Sequence, residues 1–443
     1  MATETQSSTV ASPPTQEEEA RPRWGWVEPC AWTERMLAAL DNGVEGGKWF
    51  SLVDKMWRPG NLEAAWRKVL RNRGGSGIDG QTVHQFHQRW PEELASLREM
   101  LRRDLYVPMP VKRVWIPKPG SGEKRPLGIP AVRDRVVQAA LLQVVEPIFE
   151  SIFHEHSYGF RPGRGCKDAL RRVQALLESG HRWVVDADLK SYFDTIPHDR
   201  LMARLGEHVS DGRILSLVRG YLEQKVMDGL EEWTPDGGTP QGAVVSPLLA
   251  NLYLNPLDHL MAAAGFEMVR YADDFVILCR SREQADRALR LVAEWTGQNG
   301  LTLHPEKTRI VQEADEGFDF LGYSFRRGAR WPRRRSLAKF KDAIRAGTRR
   351  SNGESLDEIV ARLNPMLRGW YGYFKHCHRY IFKSLDGWIR RRLRAVLNRR
   401  LRKQRWKFTH EDHRRWPIAF FHAHGLFSLA AAHAAECQSL YNR

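Results

Sequence analysis

The sequence predicts an α+β fold in which interspersed strands and helices are followed by a separate, strongly basic helical region. Three observations carry this prediction. Strand-like runs at Val111–Ile116, Arg125–Ile129 and Trp183–Leu189 are interspersed with helix-like segments at Arg135–Phe149 and Lys167–Leu177. A hairpin pattern spans Phe266–Cys279, with its turn at Ala272-Asp273-Asp274. Beyond Arg326 the composition turns cationic. Six arginines fall between Arg326 and Arg335, and Trp388–Lys407 holds ten Lys or Arg with no acidic residue.

Taken in order, residues 1 to about 22 are rich in Ser, Thr, Pro and Glu and are expected to form a disordered tail. A poorly ordered N-terminal segment is expected as far as residue 45, since apolar patterning returns near Trp49. Residues 46–110 form an N-terminal extension in which Leu62, Trp66, Val69 and Leu70 share one helix face. The string Gly74-Gly75-Ser76-Gly77-Ile78-Asp79-Gly80 matches a dinucleotide fingerprint only formally. A basic helix precedes it where that motif needs a buried strand, so it reads as a loop. Residues 111–325 carry the mixed layer, and residues 326–408 the basic helices. In the latter, Ile389, Leu393, Val396, Leu397 and Leu401 recur at helical spacing. Residues 409–443 are expected to be a small C-terminal appendage that binds DNA.

The 443 residues suggest two to four packed units, and a hydrophobic content of 42% is enough for real cores. A formal charge of +16, from 69 Lys plus Arg against 53 Asp plus Glu, repels itself unless a polyanion neutralises it. Nucleic acid fits that charge better than a small acidic metabolite. No apolar run reaches the roughly 20 residues that span a bilayer, and the N-terminus lacks the order of a signal peptide. A cytosolic or nucleoid protein without membrane contact is expected. Five widely spaced cysteines, Cys30, Cys166, Cys279, Cys377 and Cys437, form no metal knuckle and read as reduced thiols.

The acidic residues point to chemistry. Asp273 and Asp274 lie between the apolar strands of the hairpin, and buried carboxylates need a compensating partner. Magnesium is the natural one, because it takes hard oxygen ligands and is satisfied by one or two carboxylates plus substrate phosphates. On the hairpin alone, a turn with exposed aspartates explains the pattern equally well. A second acidic strand, Trp183-Val184-Val185-Asp186-Ala187-Asp188, puts Asp186 and Asp188 on one face. Oxygens from both segments could then surround two cations for an in-line phosphoryl displacement. Asp186 and Asp194 compete with Asp188 for this role; Asp194 reads as a helix-start residue.

At this point the residues resemble a known family, the group II intron reverse transcriptase/maturases. Tyr271-Ala272-Asp273-Asp274 resembles the catalytic box of reverse transcriptases, and Asp188-Leu189-Lys190-Ser191-Tyr192-Phe193 their first acidic motif. The strings Ile116-Pro117-Lys118-Pro119, Arg125-Pro126-Leu127-Gly128-Ile129-Pro130 and Ser157-Tyr158-Gly159-Phe160-Arg161-Pro162-Gly163 fall in the family's order. So do Gly238-Thr239-Pro240-Gln241-Gly242, Ser246-Pro247-Leu248-Leu249, Gly300-Leu301-Thr302-Leu303 and Phe320-Leu321-Gly322-Tyr323. Leu363-Asn364-Pro365 and Gly369-Trp370-Tyr371 extend the likeness into the basic helices.

The resemblance implies a right-hand polymerase, with fingers and palm followed by an α-helical thumb/maturase domain. It implies RNA-directed DNA synthesis with two Mg2+ ions held by Asp188 and Asp273, with Asp274 closely associated. Lys118 and Arg125 would hold the triphosphate, with Lys124 an alternative because the loop is one residue longer than the common pattern. Phe193 would exclude a 2′-hydroxyl, and Gln241 would pack at the nucleotide and template. Arg161 and Arg164 would approach the template backbone. Arg390, Arg391, Arg394, Arg399 and Arg400 would bind RNA, while most of Trp370, Tyr371, Tyr373, Phe374, Trp388 and Trp406 build the thumb core. The implied partners are intron RNA, template RNA, primer DNA and deoxynucleoside triphosphates.

The family's C-terminal endonuclease pattern is not matched. His410, His413, His422, His424 and His433 lack acidic or Cys partners at ligand spacing and are expected to be core and surface residues. Two other readings compete: a splicing-only maturase, and a reverse transcriptase recruited to host defence or gene diversification. Retention of all three acids opposes the first, and the maturase-like segment opposes the second.

Overall fold

The computed structural model describes residues 23–117, 122, 124–349, 353–401 and 410–441. It divides into two compact units, each built from discontinuous stretches. The first comprises Met1–Gly165, Ala187–Phe275 and Ala288–Glu306; the second comprises Cys166–Asp186, Val276–Arg287 and Lys307–Arg443. The linear boundaries expected from composition therefore do not coincide with the packing units.

In the first unit, strands β1 (Val111–Pro117) and β2 (Lys124–Ile129) pair antiparallel, with Ile116 opposite Arg125. Strand β3 (Trp183–Asp188) follows them in the chain. Strands β4 (Val226–Asp228) and β5 (Glu231–Trp233) form a hairpin that extends the β1–β2 sheet in the order β2-β1-β4-β5. Helix Val132–Glu150 is buried on nearly every side, with Val136, Val137, Ala140, Leu141 and Val144 in the core beside the buried polar Asp134, Gln138 and Gln143.

A second four-stranded sheet has the order β6-β7-β3-β8, with β6 at Glu267–Tyr271, β7 at Asp274–Cys279 and β8 at Arg309–Gln312. Strand β8 runs antiparallel to β3 and sets Arg309 opposite Asp186. In the second unit, β9 (Phe318–Phe320), β10 (Tyr323–Arg326) and β11 (Ala329–Pro332) form a meander. Helices Arg334–Gly347, Leu356–Phe374 and Tyr380–Arg400 follow. The middle helix starts at a capping box, in which Ser355 and Glu358 satisfy each other's backbone amides.

Two expectations about the termini are corrected. Ordered structure begins well before residue 45. Trp24 and Trp32 are buried, Trp32 donates its indole N–H to the Gln143 carbonyl at 3.1 Å, and its ring meets Trp49 edge-on at 5.2 Å. Local patterning is weak there because the segment is held by long-range indole contacts rather than by a periodic face. The expected tail, residues 1–22, lies outside the described residues.

Nor is the C-terminal segment an appendage, because it is bound into the helical domain. The buried Asp386 carboxylate accepts from the Ser428 hydroxyl at 2.7 Å and from the amides of Leu429 and Ala430 at 3.0 and 3.1 Å. It thereby satisfies the first backbone donors of helix Leu429–Tyr441. Glu436 on that helix pairs with Lys375 and accepts from the Tyr371 hydroxyl.

The thumb aromatics do build a core. Phe340 stacks on Trp370 at 4.4 Å, and Tyr371 and Phe374 are buried; Trp406 lies outside the described residues. All five cysteines are free thiols. Among the described residues, no helix is long and apolar enough to cross a membrane.

Replacing Asp386 with Ala should cost about 1–3 kcal/mol, the cost of stranding helix-start amides and a buried hydroxyl. The expected result is a lower denaturation midpoint with early proteolysis within residues 410–441. A midpoint equal to wild type would show that these contacts do not secure the terminal helices.

Candidate active site

The site is built from the turn upward. Strands β6 and β7 meet at Ala272-Asp273, where Ala272 takes a positive φ of 59°. A non-glycine residue in that region costs roughly 1–3 kcal/mol unless its surroundings hold it there. The surroundings here are a buried guanidinium. Arg270 is fully buried and donates to both Asp258 oxygens at 2.8 and 2.5 Å, to Asn251 Oδ1 at 2.9 Å and to the Ala272 carbonyl at 2.8 Å. Asn251 and Asp258 lie seven residues apart on helix Ser246–Ala263, two turns along one face. Arg270 thus ties that helix to the strained turn.

The segment Ser157–Arg161 locks the turn from its other side. The Tyr158 amide donates to the Arg270 carbonyl at 2.9 Å, and Asn251 Nδ2 donates to the Gly159 carbonyl at 2.7 Å. A Cβ on Gly159 would lie 2.3 Å from the Ala272 amide nitrogen, so only glycine permits this approach. Arg161 serves the same lock. It is buried, pairs through two nitrogens with Glu150 at 2.7 and 2.8 Å, and donates to the carbonyls of His154 and Ser157. The expectation that Arg161 reaches a template is therefore corrected, since its donors are engaged inside the fold. Arg164 is half-buried and donates to the Glu155 carbonyl at 2.5 Å.

The acids converge as follows. Strand β3 ends at Asp188 beside β7, which begins at Asp274. The Asp188 carbonyl accepts from the His304 amide at 2.7 Å, anchoring the strand end in the first unit. Burial pushes the Asp273 carboxyl above the usual carboxylate range, and the negative charge of Asp188 pushes it further. Arg125 and Arg270 oppose that shift. Asp188, Asp273 and Arg125 therefore share one electrostatic neighbourhood.

Among the described residues, no three His, Cys, Asp or Glu side chains form a group that could hold a metal ion. Two mutually repelling carboxylates suit a hard divalent cation that completes its shell with phosphate and water. Asp186 does not join them, because it pairs with Arg309 at 3.4 Å across β3 and β8. That ion pair engages Asp186 in the fold.

Phe193 and Gln241 line one cavity of about 440 Å³, together with Arg113, Asp194, Trp233 and Thr239. Backbone bonds place them. The Thr239 amide donates to the Phe193 carbonyl at 2.6 Å, and the Gly128 amide donates to the Gln241 carbonyl at 2.6 Å. Gln241 Nε2 donates to Asp194 at 3.2 Å, so Asp194 orients a residue of this cavity rather than only starting a helix. Arg125 is exposed on β2, and Lys124 is exposed at its start. Lys118 lies outside the described residues.

In the basic helix Tyr380–Arg400, Arg391, Arg399 and Arg400 are exposed and Arg390 is half-buried. Arg394 is buried and donates twice to the Trp416 carbonyl at 3.0 and 2.8 Å. Its assignment to RNA is corrected, because its apolar stem and its donors face the core. The sequence reading also missed Arg270, Asp258 and Asn251. The one available signal was a charged residue inside the apolar string Met268-Val269-Arg270.

Residues 116–325 match the reverse transcriptase (RNA-dependent DNA polymerase) family, and residues 337–416 match the group II intron maturase-specific domain. The chain is 36% identical over 314 residues to protein YkfC of Escherichia coli (strain K12), covering 61% of this chain and 82% of that protein. It is 35% identical over 203 residues to the group II intron-encoded protein LtrA of Lactococcus lactis subsp. cremoris, covering 45% of this chain and 33% of LtrA. The putative COX1/OXI3 intron 1 protein of Saccharomyces cerevisiae is 26% identical over 396 residues, covering 76% of this chain and 46% of that protein. The chain thus spans most of the first relative and less than half of the other two.

The family matches and these relatives define a reverse transcriptase, an RNA-directed DNA polymerase whose family uses divalent metal ions. Within that class, the chain belongs to the group II intron reverse transcriptase/maturases.

Arg270→Met should lower stability by about 3–5 kcal/mol, since it leaves the Asp258 charge buried and unpaired. Adding Asp258→Leu should recover much of that stability in urea melts. DNA synthesis should stay lost, because the Ala272 carbonyl still lacks its donor. A double variant with full synthesis would show that the turn does not need this guanidinium.

Proposed function

We propose that this chain is the RNA-directed DNA polymerase of a group II intron, which copies intron RNA into DNA for retrohoming and binds that RNA to assist splicing. The observation that carries the reading is the electrostatic coupling of Asp188 and Asp273 within one compact unit, beside Arg125. Asp188 and Asp273 would hold two Mg2+ ions, with Asp274 closely associated. The ions supply charge neutralisation at the attacking 3′-hydroxyl and the leaving pyrophosphate.

The remaining work falls to the chain itself. Arg125, with Lys118 or Lys124, neutralises the triphosphate. Phe193 stands where a ribose 2′-hydroxyl would intrude, and Gln241, oriented by Asp194, packs at the nucleotide and template. Arg390, Arg391, Arg399, Arg400 and Arg164 offer exposed or half-exposed cations to RNA phosphates. The substrates are template RNA, primer DNA and deoxynucleoside triphosphates, and the setting is the bacterial cytosol or nucleoid.

Asp273→Asn should abolish primer extension on an RNA template with Mg2+ while leaving RNA retention on filters at several salt concentrations near wild type. Full extension by this variant would overturn the site assignment. Wild-type protein that fails to extend primers yet promotes splicing would leave only the maturase part of the reading.

Phe193→Ala should admit ribonucleotides, narrowing the preference for deoxynucleotides by tenfold or more, on the order of one lost steric exclusion. Competition between the two sugars in single-nucleotide incorporation measures it. An unchanged ratio would remove Phe193 from that role.

A further inference from the structure

The segment that locks the Ala272-Asp273 turn holds one side chain that the lock does not use. Ser157, Tyr158, Gly159 and Arg161 are buried, whereas Phe160 is 53% exposed. Phe160 also takes a positive φ of 55°, a region that suits glycine or asparagine and disfavours a bulky residue. Both neighbours hold it there. The Gly159 carbonyl accepts from Asn251 Nδ2 at 2.7 Å, and the Arg161 guanidinium is pinned by Glu150 and by the carbonyls of His154 and Ser157. The chain thus carries backbone strain and an exposed apolar ring at a single position, and neither serves the core.

Its place is informative, because strain of this kind collects where a chain meets its ligand. The Phe160 ring meets that of half-buried Tyr271 at 6.3 Å, tilted by 43°. Tyr271 ends β6 and stands two residues before Asp273, a separation that backbone spans in at most about 7 Å. Along one nucleic-acid strand that length covers roughly two nucleotide steps. A primer that brings its 3′-hydroxyl to cations at Asp273 therefore sets its last nucleotides beside these two rings. The Phe160 ring has no charge and no hydrogen-bonding atom, so it reads neither phosphate nor base identity. What it can sense is shape. The wide, shallow minor groove of an A-form duplex admits such a ring, and minor-groove edges distinguish base pairs poorly.

We propose that Phe160 is a specificity-determining residue for primer extension, its ring packing in the minor groove of the last primer–template base pairs and supporting a correctly paired end. The assignment rests on the reading of the chain as a polymerase with its chemistry at Asp188 and Asp273. A matched end presents its sugars at one spacing whichever bases pair, and it fits a ring that is fixed from both sides. A mispaired end displaces those sugars and forfeits the contact. Glycine or asparagine would relax the backbone, but neither offers an aromatic surface held in one place, and placement is what aligns a reacting end.

Single-nucleotide incorporation by the full chain, on an RNA template with matched or 3′-mismatched DNA primers, tests this, with circular dichroism melts in parallel. Phe160→Gly should lower kcat/KM from a matched end by about tenfold, on the order of one lost apolar contact, and change extension from a mismatched end little. Phe160→Tyr, which keeps the ring, should restore most of the difference. The melting temperature of Phe160→Gly should stay close to wild type, because relief of strain offsets the looser unfolded chain. If it falls, Phe160→Asn must show the same selective loss, since asparagine tolerates a positive φ. A folded variant with the wild-type ratio of matched to mismatched extension would overturn the proposal and leave the polymerase reading intact. Equal slowing at both ends would overturn the specificity role. Wild-type protein that extends no primer would remove the underlying reading, and the proposal with it.

Discussion

The geometry of the acidic centre depends on one buried ion pair. Arg270 carries a full charge into a fully buried position and is repaid by Asp258, Asn251 and the Ala272 carbonyl. Such a pair adds little stability over a well-packed apolar alternative, but breaking it is costly. Its value lies in direction. An apolar side chain at 270 would fill the same space without fixing the carbonyl of a residue held at positive φ. Because that carbonyl is fixed, Asp273 follows immediately in a defined orientation next to the end of β3.

The same turn receives support from a segment far away in sequence. Residues 156–159 join the edge of β6 through Tyr158 and Arg270, and a bare glycine lets the two backbones meet. Arg161 then anchors that segment to Glu150 on the most deeply buried helix. A core helix, an inserted segment and the Ala272-Asp273 turn therefore form one mechanical chain, and each link is a hydrogen bond or a close backbone contact. Preorganisation of this kind lets two repelling carboxylates remain close before any cation arrives.

Much of this was legible in the sequence, and the failures have physical causes. Strands β1, β2, β3, β6 and β7 were readable because period-two patterning and turn residues are local signals. Asp188 could not be separated from Asp186 by alternation, since both occupy one face; the partner that distinguishes them, Arg309, lies on a strand more than a hundred residues away. Arg161 and Arg394 were misread for a related reason. A guanidinium's stem and head are equally suited to solvent, phosphate or a ring of carbonyls, and only tertiary packing decides. The segment from residue 23 to 45 escaped notice because two tryptophans, not a repeating pattern, bury it.

The likeness strings also differ in what they contribute. Gly128 and Gly242 illustrate the point, because neither offers a functional group. The Gly128 amide holds the Gln241 carbonyl, while Gly242 sits at a φ of 109° with space for no Cβ against the Gly128 carbonyl. Two motifs separated by more than a hundred residues are thus required by a single backbone crossing. A similar crossing joins Thr239 to Phe193. Most residues in these strings position the chain; of the side chains, Phe193 and Gln241 line one cavity, and Asp188 and Asp273 lie near enough to repel each other. Similarity of the strings therefore reports first on the framework. The inference to catalysis comes from the acids that this framework forces together.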